Sequence, residues 1–249
     1  MKIKLFNTFV NVFTKTEYIN IFGKQPAKNN PIIIYYLNTY SLYLCNKYNN
    51  YAKAFNNADY ITADGFSIVF ALKKLFKKDA EQISPTIAFL DYLAAFFEKE
   101  NIRIFILAGE NVKLKLSVYN IKKSFPSLNI VDHFNGFFKK EETDKIIERI
   151  NQSGADILLV GMGMPKSEFW IEQNKKLIDV KYIMTVGAFV DFVSEDKKLA
   201  PAPLRNSGLE WLYRLYQEPK RLFSRYLIAH TFFAKIFMME YFRKIKKSS

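Results

Sequence analysis

The sequence predicts an α/β protein with a mainly parallel, Rossmann-like sheet that carries helices on both faces, followed by a basic helical segment. Short apolar runs rich in β-branched and aromatic residues alternate with longer segments of helical character. That alternation is typical of right-handed βαβ units, which build parallel sheets. After Asp191 the strand-like runs stop, and the chain continues as a Pro-interrupted loop and then as helix.

Five apolar runs have the length and composition of buried strands. They lie at residues 32–37, 60–63, 102–108, 157–160 and 182–186. The segments between them predict helices over residues 41–57, 65–78, 87–99, 113–125, 140–152 and 166–177.

The composition is that of a folded protein with a substantial core. The chain has 249 residues, of which 49% are hydrophobic and 24% charged. The single cysteine, Cys45, excludes an internal disulfide, and two histidines are too few for a structural zinc cluster. A mean hydropathy of -0.09 excludes a polytopic membrane protein. The N-terminus lacks the apolar run of a signal peptide, so we expect a cytoplasmic protein.

We expect an α/β core over residues 1–196 and an appendage over residues 197–249. Two lobes that meet near residue 100 remain an alternative for the core. The appendage holds twelve Lys and Arg against three acidic residues, a net charge of +9. A local cationic surface of this strength attracts anionic lipid headgroups, a diphosphate ligand or nucleic acid. The alternative is a solvated basic tail.

Residues 222–241 of the appendage predict a basic amphipathic helix. Apolar side chains recur at roughly helical spacing, and they are Phe223, Tyr226, Leu227, Phe233, Ile236, Phe237 and Tyr241. His230, Lys235 and Glu240 interrupt the segment and exclude a membrane-spanning helix. We expect the helix to lie in the plane of a membrane interface. The alternative is an ordinary helix that packs on its own domain or on a second subunit.

Asp64 is the first candidate for chemistry. It follows the strand at residues 60–63 and precedes Gly65, where a helix is expected to begin. Ligands of open parallel sheets bind outside the carboxyl ends of the strands, so a carboxylate here can serve as a general base. The alternative is that Asp64 caps the following helix.

Residues 157–168 combine a strand, a Gly-x-Gly turn and the start of a helix. Gly161 and Gly163 allow close approach of the backbone, and Pro165 is expected at the first position of the helix. The free N–H groups of the turn can hold a diphosphate. The third glycine of a dinucleotide fingerprint is missing, which makes NAD binding a poor interpretation. A tight turn with only a packing role is the alternative.

Gly187 and Asp191 follow another strand, although Asp191 by itself can also cap a turn. The sequence contains no Asp-x-Asp triplet, the usual sign of a sugar transferase that holds its nucleotide through a divalent metal. Cationic side chains and helix N-termini would have to neutralise the diphosphate of a bound sugar nucleotide. We therefore expect neither a metal nor a cofactor.

The appendage carries three arginines of interest. Arg214 lies four residues after Glu210, a spacing that also suits a surface ion pair worth about 0.3–0.5 kcal/mol. Arg221 and Arg225 are four apart on one helical face, where they repel each other unless an anion lies between them. This spacing favours a phosphate contact.

In order along residues 30–228, these segments resemble the WecG/TagA/CpsF family of bacterial glycosyltransferases (glycosyltransferase family twenty-six). The most specific match is residues 209–226, a Glu-Trp-Leu-Tyr-Arg run followed by Glu-Pro-x-Arg and Arg-Tyr. The other matching pieces are Asn38, Ala63-Asp64-Gly65, Asn135-Gly136-Phe137-Phe138, residues 157–168, Gly187-Ala-Phe-Val-Asp191 and Ala200-Pro201.

The resemblance implies a transferase that moves a sugar, typically N-acetylmannosamine from its UDP derivative, onto a sugar linked to undecaprenyl diphosphate at the cytoplasmic membrane face. Such enzymes serve the assembly of teichoic acid linkage units and other surface polysaccharides. By the resemblance Asp64 is the base of an inverting reaction that needs no metal. The matching positions implied to bind substrate are Asn38, Gly65, Gly136, Gly161, Gly163, Pro165, Lys166, Glu168, Gly187, Asp191, Arg214, Arg221 and Arg225.

The partners that follow are a UDP-sugar donor, a polyprenyl-diphosphate-linked acceptor and an anionic membrane surface on which the protein is peripheral. The sequence does not determine the oligomeric state, and a homo-oligomer is one possibility. We expect no nucleic acid, because the charge is not accompanied by a recognition motif. The alternative function is a catalytically silent membrane-surface protein with the same fold, and a transferase with another donor sugar is a further alternative.

Four positions depart from the family pattern as the resemblance gives it. Gln82 and Ile87 stand where the family has an arginine and an aspartate, Ser167 replaces a glutamine, and Leu199 replaces a basic residue. In addition, Tyr36 stands at a threonine position. These departures predict either altered specificity or lost activity.

Overall fold

The computed structural model describes residues 1–27 and 30–248 and contains one six-stranded parallel sheet. A separate antiparallel hairpin, β1 (Lys2–Leu5) and β2 (Thr8–Asn11), precedes it. The strands of the sheet are β3 (Ile32–Leu37), β4 (Tyr60–Ala63), β5 (Ile104–Ala108), β6 (Ile130–Phe134), β7 (Ile157–Gly161) and β8 (Tyr182–Thr185). Their spatial order is β4-β3-β8-β7-β5-β6. The predicted α/β class is confirmed, and strands from both sides of residue 100 share the one sheet.

Helices connect the strands and continue beyond the last one. Up to β5 they are α1 (Lys15–Ile19), α2 (Thr39–Lys47), α3 (Asn49–Asn56), α4 (Phe66–Phe76), α5 (Pro85–Ala88) and α6 (Ala94–Lys99). After β5 they are α7 (Asn111–Ser124), α8 (Thr143–Gln152), α9 (Lys166–Asn174), α10 (Phe189–Val193), α11 (Ala202–Asn206), α12 (Glu210–Gln217) and α13 (Pro219–Ser248). A π-helical stretch, Phe89–Leu93, joins α5 to α6, and short 3₁₀ helices lie at Asn20–Gly23 and Lys140–Glu142.

Each face of the sheet supports its own hydrophobic core. Along β3, Ile33 and Tyr35 face the layer of α2, α3, α4, α8 and α9. Ile34 and Tyr36 face the layer of α1, α6, α7 and α10. Successive side chains of a strand point to opposite faces, so a strand covered on both sides is apolar throughout. That is why the inner strands β3, β5, β7 and β8 are almost entirely apolar in sequence.

The structure departs from the local predictions at three places, one of which is the hairpin of β1 and β2, where no strands were expected. The single helix expected over residues 41–57 is divided at Tyr48, whose extended backbone (φ -126°, ψ 111°) ends α2 and begins α3. The sequence analysis also missed β6, because Asp132 and His133 interrupt its apolar pattern. β6 is an edge strand that pairs only with β5, and its half-buried side chains need not be apolar.

The long helix α13 packs on the α/β core through the middle of its length. Phe233, Ile236 and Phe237 lie against the core layer that contains α2 and α4. The ring centroids of Phe237 and Phe70 are 5.3 Å apart. The alternative of a helix that packs on its own domain therefore applies to this stretch. Other apolar side chains of the helix stay exposed, among them Phe223, Leu227, Met239 and Phe242.

We also searched the described ranges, 1–27 and 30–248, for a helix long and apolar enough to cross a membrane, and none is present.

Candidate active site

A cleft of about 420 Å³ lies at the carboxyl ends of the parallel strands, and we call it the main cleft. Asn38 follows β3, Asp64 follows β4, Gly163 follows β7 and Gly187 follows β8, and all four border it. The appendage closes its far side through Glu210, Arg214, Arg221 and Arg225. The main cleft thus has the position expected of a ligand site in an open α/β sheet.

A smaller cavity of about 110 Å³ adjoins the main cleft, and we call it the appendage cavity. The starts of α2 and α4 form one side, and residues of α11, α12 and α13 form the other. Asp64, Asn38, Glu210, Arg214 and Arg225 border both cavities. A carboxyl on such a shared wall can contact ligands that enter from two directions.

Asp64 does not cap the helix that follows it. Gly65 is the N-cap residue of α4, and no side chain bonds to the first turn of that helix. The Asp64 main chain is fixed because its N–H donates to the carbonyl oxygen of Leu37 at 2.8 Å. The carboxyl group is therefore available for chemistry.

The pKa of Asp64 is raised to about 6, first by burial and then by the charge of Glu210. Hydrogen bonds from Asn38 and Ser84 and the charge of Arg214 act in the opposite direction. At neutral pH Asp64 is therefore ionised in most molecules, yet it can accept a proton at a small cost in free energy. This is the balance that a general base needs.

Asn38 orients Asp64 and caps α2 at the same time. Its Oδ1 accepts hydrogen bonds from the N–H groups of Tyr40 at 3.1 Å and Ser41 at 3.0 Å. Its Nδ2 donates to Oδ2 of Asp64 at 3.4 Å. With Oδ1 engaged by the helix, the amide nitrogen is the end of Asn38 that faces the carboxyl group.

The turn after β7 borders the main cleft, but its two glycines differ in role. A Cβ atom on Gly161 would lie 2.7 Å from Cβ of Ala108 on the neighbouring strand, so Gly161 is needed for strand packing. The Ser167 hydroxyl accepts the N–H of Met162 at 3.0 Å, which removes that donor from an anion. Pro165 is the N-cap residue of α9 instead of its first helical residue.

Four of the predicted binding residues lie outside the lining of the main cleft. Gly136, Pro165 and Lys166 border neither cavity, and Gly65 borders only the appendage cavity. The Nζ atom of Lys166 donates to the carbonyl oxygen of Gly136 at 3.1 Å. Lys166 thereby ties the Gly136 turn to the start of α9.

Glu168 is a buried carboxyl group on the wall of the main cleft. The residue is 1% exposed, and its Oε2 has no hydrogen-bond partner. Burial raises the pKa of Glu168 to about 7, while the charge of Arg225 acts to lower it. Glu168 is therefore a second group that changes charge near neutral pH.

Asp191 takes part in a chain of ion pairs that joins the core to the appendage. It pairs with Lys197, and Lys113 lies 3.9 Å away. Lys197 also pairs with Glu218 at 2.6 Å, and Glu218 pairs with Arg221. The site role predicted for Asp191 is thus accompanied by a structural one.

The three appendage arginines that were predicted to bind substrate have different partners. Arg221 is paired with Glu218, and the guanidinium of Arg214 lies 5.1 Å from the ring centre of Phe192 with no ion pair to Glu210. The guanidinium of Arg225 lies 4.0 Å from the ring centre of Tyr40, and its buried Nε has no hydrogen-bond partner. Burial lowers the pKa of Arg225. The predicted phosphate contact of Arg221 and Arg225 stays a prediction; both line the main cleft, and Glu218 pairs with Arg221.

Several polar residues of the main cleft escaped the sequence analysis, among them Ser84, Lys113 and Glu210. Lys113 lies near the start of α7, shortly after β5. The rule that ligands bind at the carboxyl ends of parallel strands would therefore have identified it. Ser84 lies between helices, where no pattern points to it. Glu210 was considered only as a partner of Arg214. Its approach to Asp64 is a contact between distant parts of the chain.

The departures from the family pattern border the two cavities. Ile87, Ser167 and Leu199 line the main cleft, and Gln82 lines the appendage cavity. Tyr36 also lines the main cleft, but its hydroxyl group is held by Tyr18 and by the sulfur of Met184 at 2.9 Å. These changes therefore lie where a bound ligand would be in contact with them.

Comparison with known proteins identifies the family of this chain. The model of the WecG/TagA/CpsF family of glycosyl transferases matches residues 3–247. This chain belongs to that family. It is accordingly a glycosyltransferase, and the resemblance inferred from its motifs is confirmed.

Similar relatives come from strains of Staphylococcus aureus. The proteins of strains MW2, MRSA252 and NCTC 8325 are each 30% identical to this chain over 233 residues, which is 91% of this chain and 86% of theirs. Each of these relatives is an N-acetylglucosaminyldiphosphoundecaprenol N-acetyl-beta-D-mannosaminyltransferase. WecG/TagA/CpsF members thus include transferases that act on a polyprenyl-diphosphate-linked sugar.

Proposed function

We propose that this glycosyltransferase moves a sugar from a UDP-sugar onto a sugar carried by undecaprenyl diphosphate, with inversion and without a metal ion. The observation that carries the proposal is Asp64, a carboxyl group with a pKa of about 6 on the wall between two cavities. The substrate named for the Staphylococcus aureus relatives supports the kind of acceptor. The donor occupies the main cleft, and the acceptor reaches Asp64 from the appendage side.

In the reaction, Asp64 takes the proton of the acceptor hydroxyl group as its oxygen attacks the anomeric carbon of the donor. The new glycosidic C–O bond forms on the face opposite the leaving group, and the C–O bond to the diphosphate breaks. UDP leaves with the electron pair, and the proton remains on Asp64 until solvent removes it. Attack from the opposite face inverts the anomeric configuration.

Arginine side chains do the electrostatic work that a divalent metal does in other sugar transferases. Among the described residues Arg225 makes no ion pair with a carboxylate, although Glu168 is close enough to feel its charge, and Arg214 also lines the main cleft. A diphosphate leaving group develops negative charge as its bond breaks, and preorganised cations stabilise that charge more strongly than water does. Charge-assisted bonds from a guanidinium to phosphate oxygens are well suited to this task.

Ile87, Ser167 and Leu199, which differ from the family pattern, affect the choice of donor sugar. Each stands on the wall of the main cleft in place of a more polar or charged family residue. A pocket wall that loses polar groups recognises a different pattern of hydroxyl and acetamido groups. N-acetylmannosamine is the family default, and a change of donor is the alternative.

We further propose that the protein acts as a peripheral protein on the cytoplasmic face of the membrane. The acceptor is held in a bilayer by its lipid, so the active site has to approach the surface. The net charge of +9 on residues 197–249 supports contact with anionic headgroups.

The test is a screen of UDP-sugars with a short-chain polyprenyl-diphosphate-linked N-acetylglucosamine, read by mass spectrometry. We expect one donor to add its sugar mass to the acceptor. In the same assay Asp64→Asn should lower kcat by about 10²–10⁴-fold, the usual worth of general-base assistance.

The matched control is Asp79→Asn, which removes a carboxyl group that is 84% exposed and borders neither cavity. It should transfer sugar at the rate of the unaltered protein. Full turnover by Asp64→Asn would show that another group is the base. Transfer from no UDP-sugar would refute the proposed donor class.

A further inference from the structure

Four exposed lysines of the α/β core lie at the C-terminal end of α4 and in the turn that follows it. They are Lys73, Lys74, Lys77 and Lys78, and none of them lines the main cleft or the appendage cavity. Lys73 pairs with the exposed Asp79 at 3.0 Å. Among the residues that the structure describes, the other three make no ion pair with a carboxylate. Cations grouped so closely repel one another, so their grouping favours an anionic partner.

Lys77 stands at a backbone position that favours glycine. It is the C-cap residue of α4 and has a left-handed conformation (φ 55°, ψ 37°), and its N–H donates to the carbonyl oxygen of Lys73 at 3.1 Å. A residue with a Cβ atom is less stable in this conformation than glycine. The side chain of Lys77 is exposed and adds nothing to the core. A lysine in this place therefore favours a role in binding over a role in folding.

The end of α13 brings further cations to the same place. The Nζ atom of Lys244 donates to the carbonyl oxygen of Leu75 at 2.6 Å and lies 3.8 Å from the ring centre of Phe76. Both acceptors belong to the last turn of α4, where the exposed carbonyl groups attract a cation. Lys246, two residues further along α13, is exposed. Lys244 thus holds the end of α13 beside the lysines of α4.

We call this set of side chains the basic cluster, and its members are Lys73, Lys74, Lys77, Lys78, Lys244 and Lys246. The carboxyl groups within residues 70–79 and 237–248 are Asp79 and Glu240. Each is already paired, Asp79 with Lys73 and Glu240 with Arg243. The basic cluster therefore keeps a net positive charge that is available to an external anion.

Exposed apolar side chains of α13 border the basic cluster. Met238, Phe242 and Ile245 are spaced by four and three residues and lie on the face of α13 that points away from the core. Phe237, on the other face, packs against the core layer. A bilayer offers anionic headgroups to the lysines and an apolar layer to these side chains. A nucleic acid offers phosphate groups but no such apolar layer, so a membrane is the better partner.

We propose that the basic cluster is a membrane-binding site of the α/β core, at which the lysines of α4 bind the headgroups of anionic phospholipids. The proposal rests on the proposed function, which brings the protein to a membrane, and it assigns part of that contact to the core. Contact through α4 and through the outer face of α13 fixes the orientation of the core on the bilayer. Arg225 in the main cleft and Lys244 are nineteen residues apart on α13, a distance of about 28 Å. The basic cluster therefore binds the surface without touching a substrate in the main cleft.

The test is flotation of the full chain with vesicles made of equal parts of phosphatidylcholine and phosphatidylglycerol. The triple variant Lys74→Gln, Lys77→Gln, Lys78→Gln should partition about 100-fold more weakly than the unaltered protein, because each cation at an anionic surface contributes about fivefold. Raising the salt concentration should reduce this difference, since it screens the headgroup charges. On vesicles of phosphatidylcholine alone the two proteins should partition equally.

The matched control removes three exposed lysines of α7, on the opposite face of the sheet: Lys115→Gln, Lys122→Gln, Lys123→Gln. It changes the net charge by the same amount and should float as the unaltered protein does. Equal flotation of the two triple variants would overturn the proposal, because net charge and not the position of the lysines would then decide binding. Lys77→Gly is a second test in case the triple variant does not fold. It should bind about fivefold more weakly while its midpoint in urea stays the same or rises.

Two further measurements separate this site from its alternatives. Without vesicles, the triple variant of α4 should transfer sugar to a soluble short-chain acceptor at the unaltered rate. If no protein transfers sugar while flotation still depends on the lysines of α4, the proposed function fails and the membrane site stands. If transfer occurs and flotation does not depend on these lysines, the membrane site fails. Binding to duplex DNA that is tighter than binding to the vesicles at the same salt concentration, and equally dependent on these lysines, would overturn the assignment to lipid.

Discussion

Two carboxyl groups on the wall of the main cleft, Asp64 and Glu168, have pKa values raised by burial, but their surroundings differ. Asp64 receives a hydrogen bond from Asn38 and the opposing effects of Glu210 and Arg214. Glu168 has an unpartnered Oε2, and Arg225 is the nearby charge that lowers its pKa. The surroundings of Asp64 therefore suit a group that exchanges a proton. Ionisation of Glu168, in contrast, lowers the stability of the folded state.

Glu168→Gln should make the protein more stable at alkaline pH. The folded-state pKa of about 7 exceeds the ordinary value of 4.5, so the unfolding free energy of the unaltered protein falls as the pH rises between these values. A neutral Gln avoids that loss, which is on the order of 3 kcal/mol at pH 8. Urea denaturation at pH 5 and pH 8 measures the difference, which should shrink at pH 5.

Glu141→Gln, an exposed change, should leave the stability unaltered at both pH values. If Glu168→Gln were less stable than the unaltered protein at pH 8, its carboxylate would be favourable in the folded state. That result would identify Arg225 as an effective counter-charge for Glu168.

At the scale of elements, α12 brings the appendage close to Asp64, the proposed base. Gly208 precedes it with φ of 79°, and a Cβ atom there would lie 2.6 Å from Cγ of Phe66 at the start of α4. This close approach seats the start of α12 over the end of β4. Glu210 consequently raises the pKa of Asp64, although the two residues are far apart in the sequence.

Glu210→Gln should move the acidic limb of the pH profile of kcat/KM to lower pH. The negative charge of Glu210 disfavours the ionised form of Asp64, so its removal lowers the pKa of the base and keeps it ionised in more acidic solution. The limb should lie near pH 6 in the unaltered protein. The measurement is kcat/KM with saturating acceptor between pH 4.5 and pH 8, with Glu141→Gln as control. An unmoved limb would mean that Glu210 does not act on the base.

At the scale of the whole molecule, charge and exposed apolar surface concentrate in the appendage. Phe223 is 60% exposed and Leu227 is 54% exposed on α13, and Tyr216 on α12 is 84% exposed. The same segment carries +9 of the protein's net charge of +13. Phe233 and Phe237, in contrast, pack on the core. One part of α13 thus holds the appendage to the core, while Phe223 and Leu227 are exposed on the same helix.

Phe223→Ser with Leu227→Ser should weaken binding to vesicles that contain phosphatidylglycerol. Apolar side chains that enter the interface each contribute about 1–2 kcal/mol, so the double change should weaken partitioning by at least tenfold. Binding should also fall as salt is raised, because the cationic contribution is screened. Flotation with vesicles measures both effects.

Val112→Ser is the control for an exposed apolar change, since Val112 is 80% exposed but lies on α7 of the core. It should float as the unaltered protein does. Equal flotation of the double variant would show that these residues do not contact the bilayer.

The sequence by itself determined the α/β class, the strands that precede the main cleft and the candidate carboxyl group, because those features follow from local patterns. Buried strands such as β3 and β7 are apolar throughout, and a residue that follows such a strand has to lie at the edge of the sheet. The family motifs are likewise short and continuous. Strand β6 was missed because an edge strand does not need an apolar pattern.

Only the tertiary structure decided which charges meet. Glu218 neutralises Arg221 and leaves Arg225 buried without a carboxylate, while Glu210 acts on Asp64 from a distant segment. The division of α13 into a packed and an exposed face, and the appendage cavity itself, also arise from contacts between distant parts of the chain. Helical and strand periodicity record which side of an element is buried, but they do not record the partner against which it is buried.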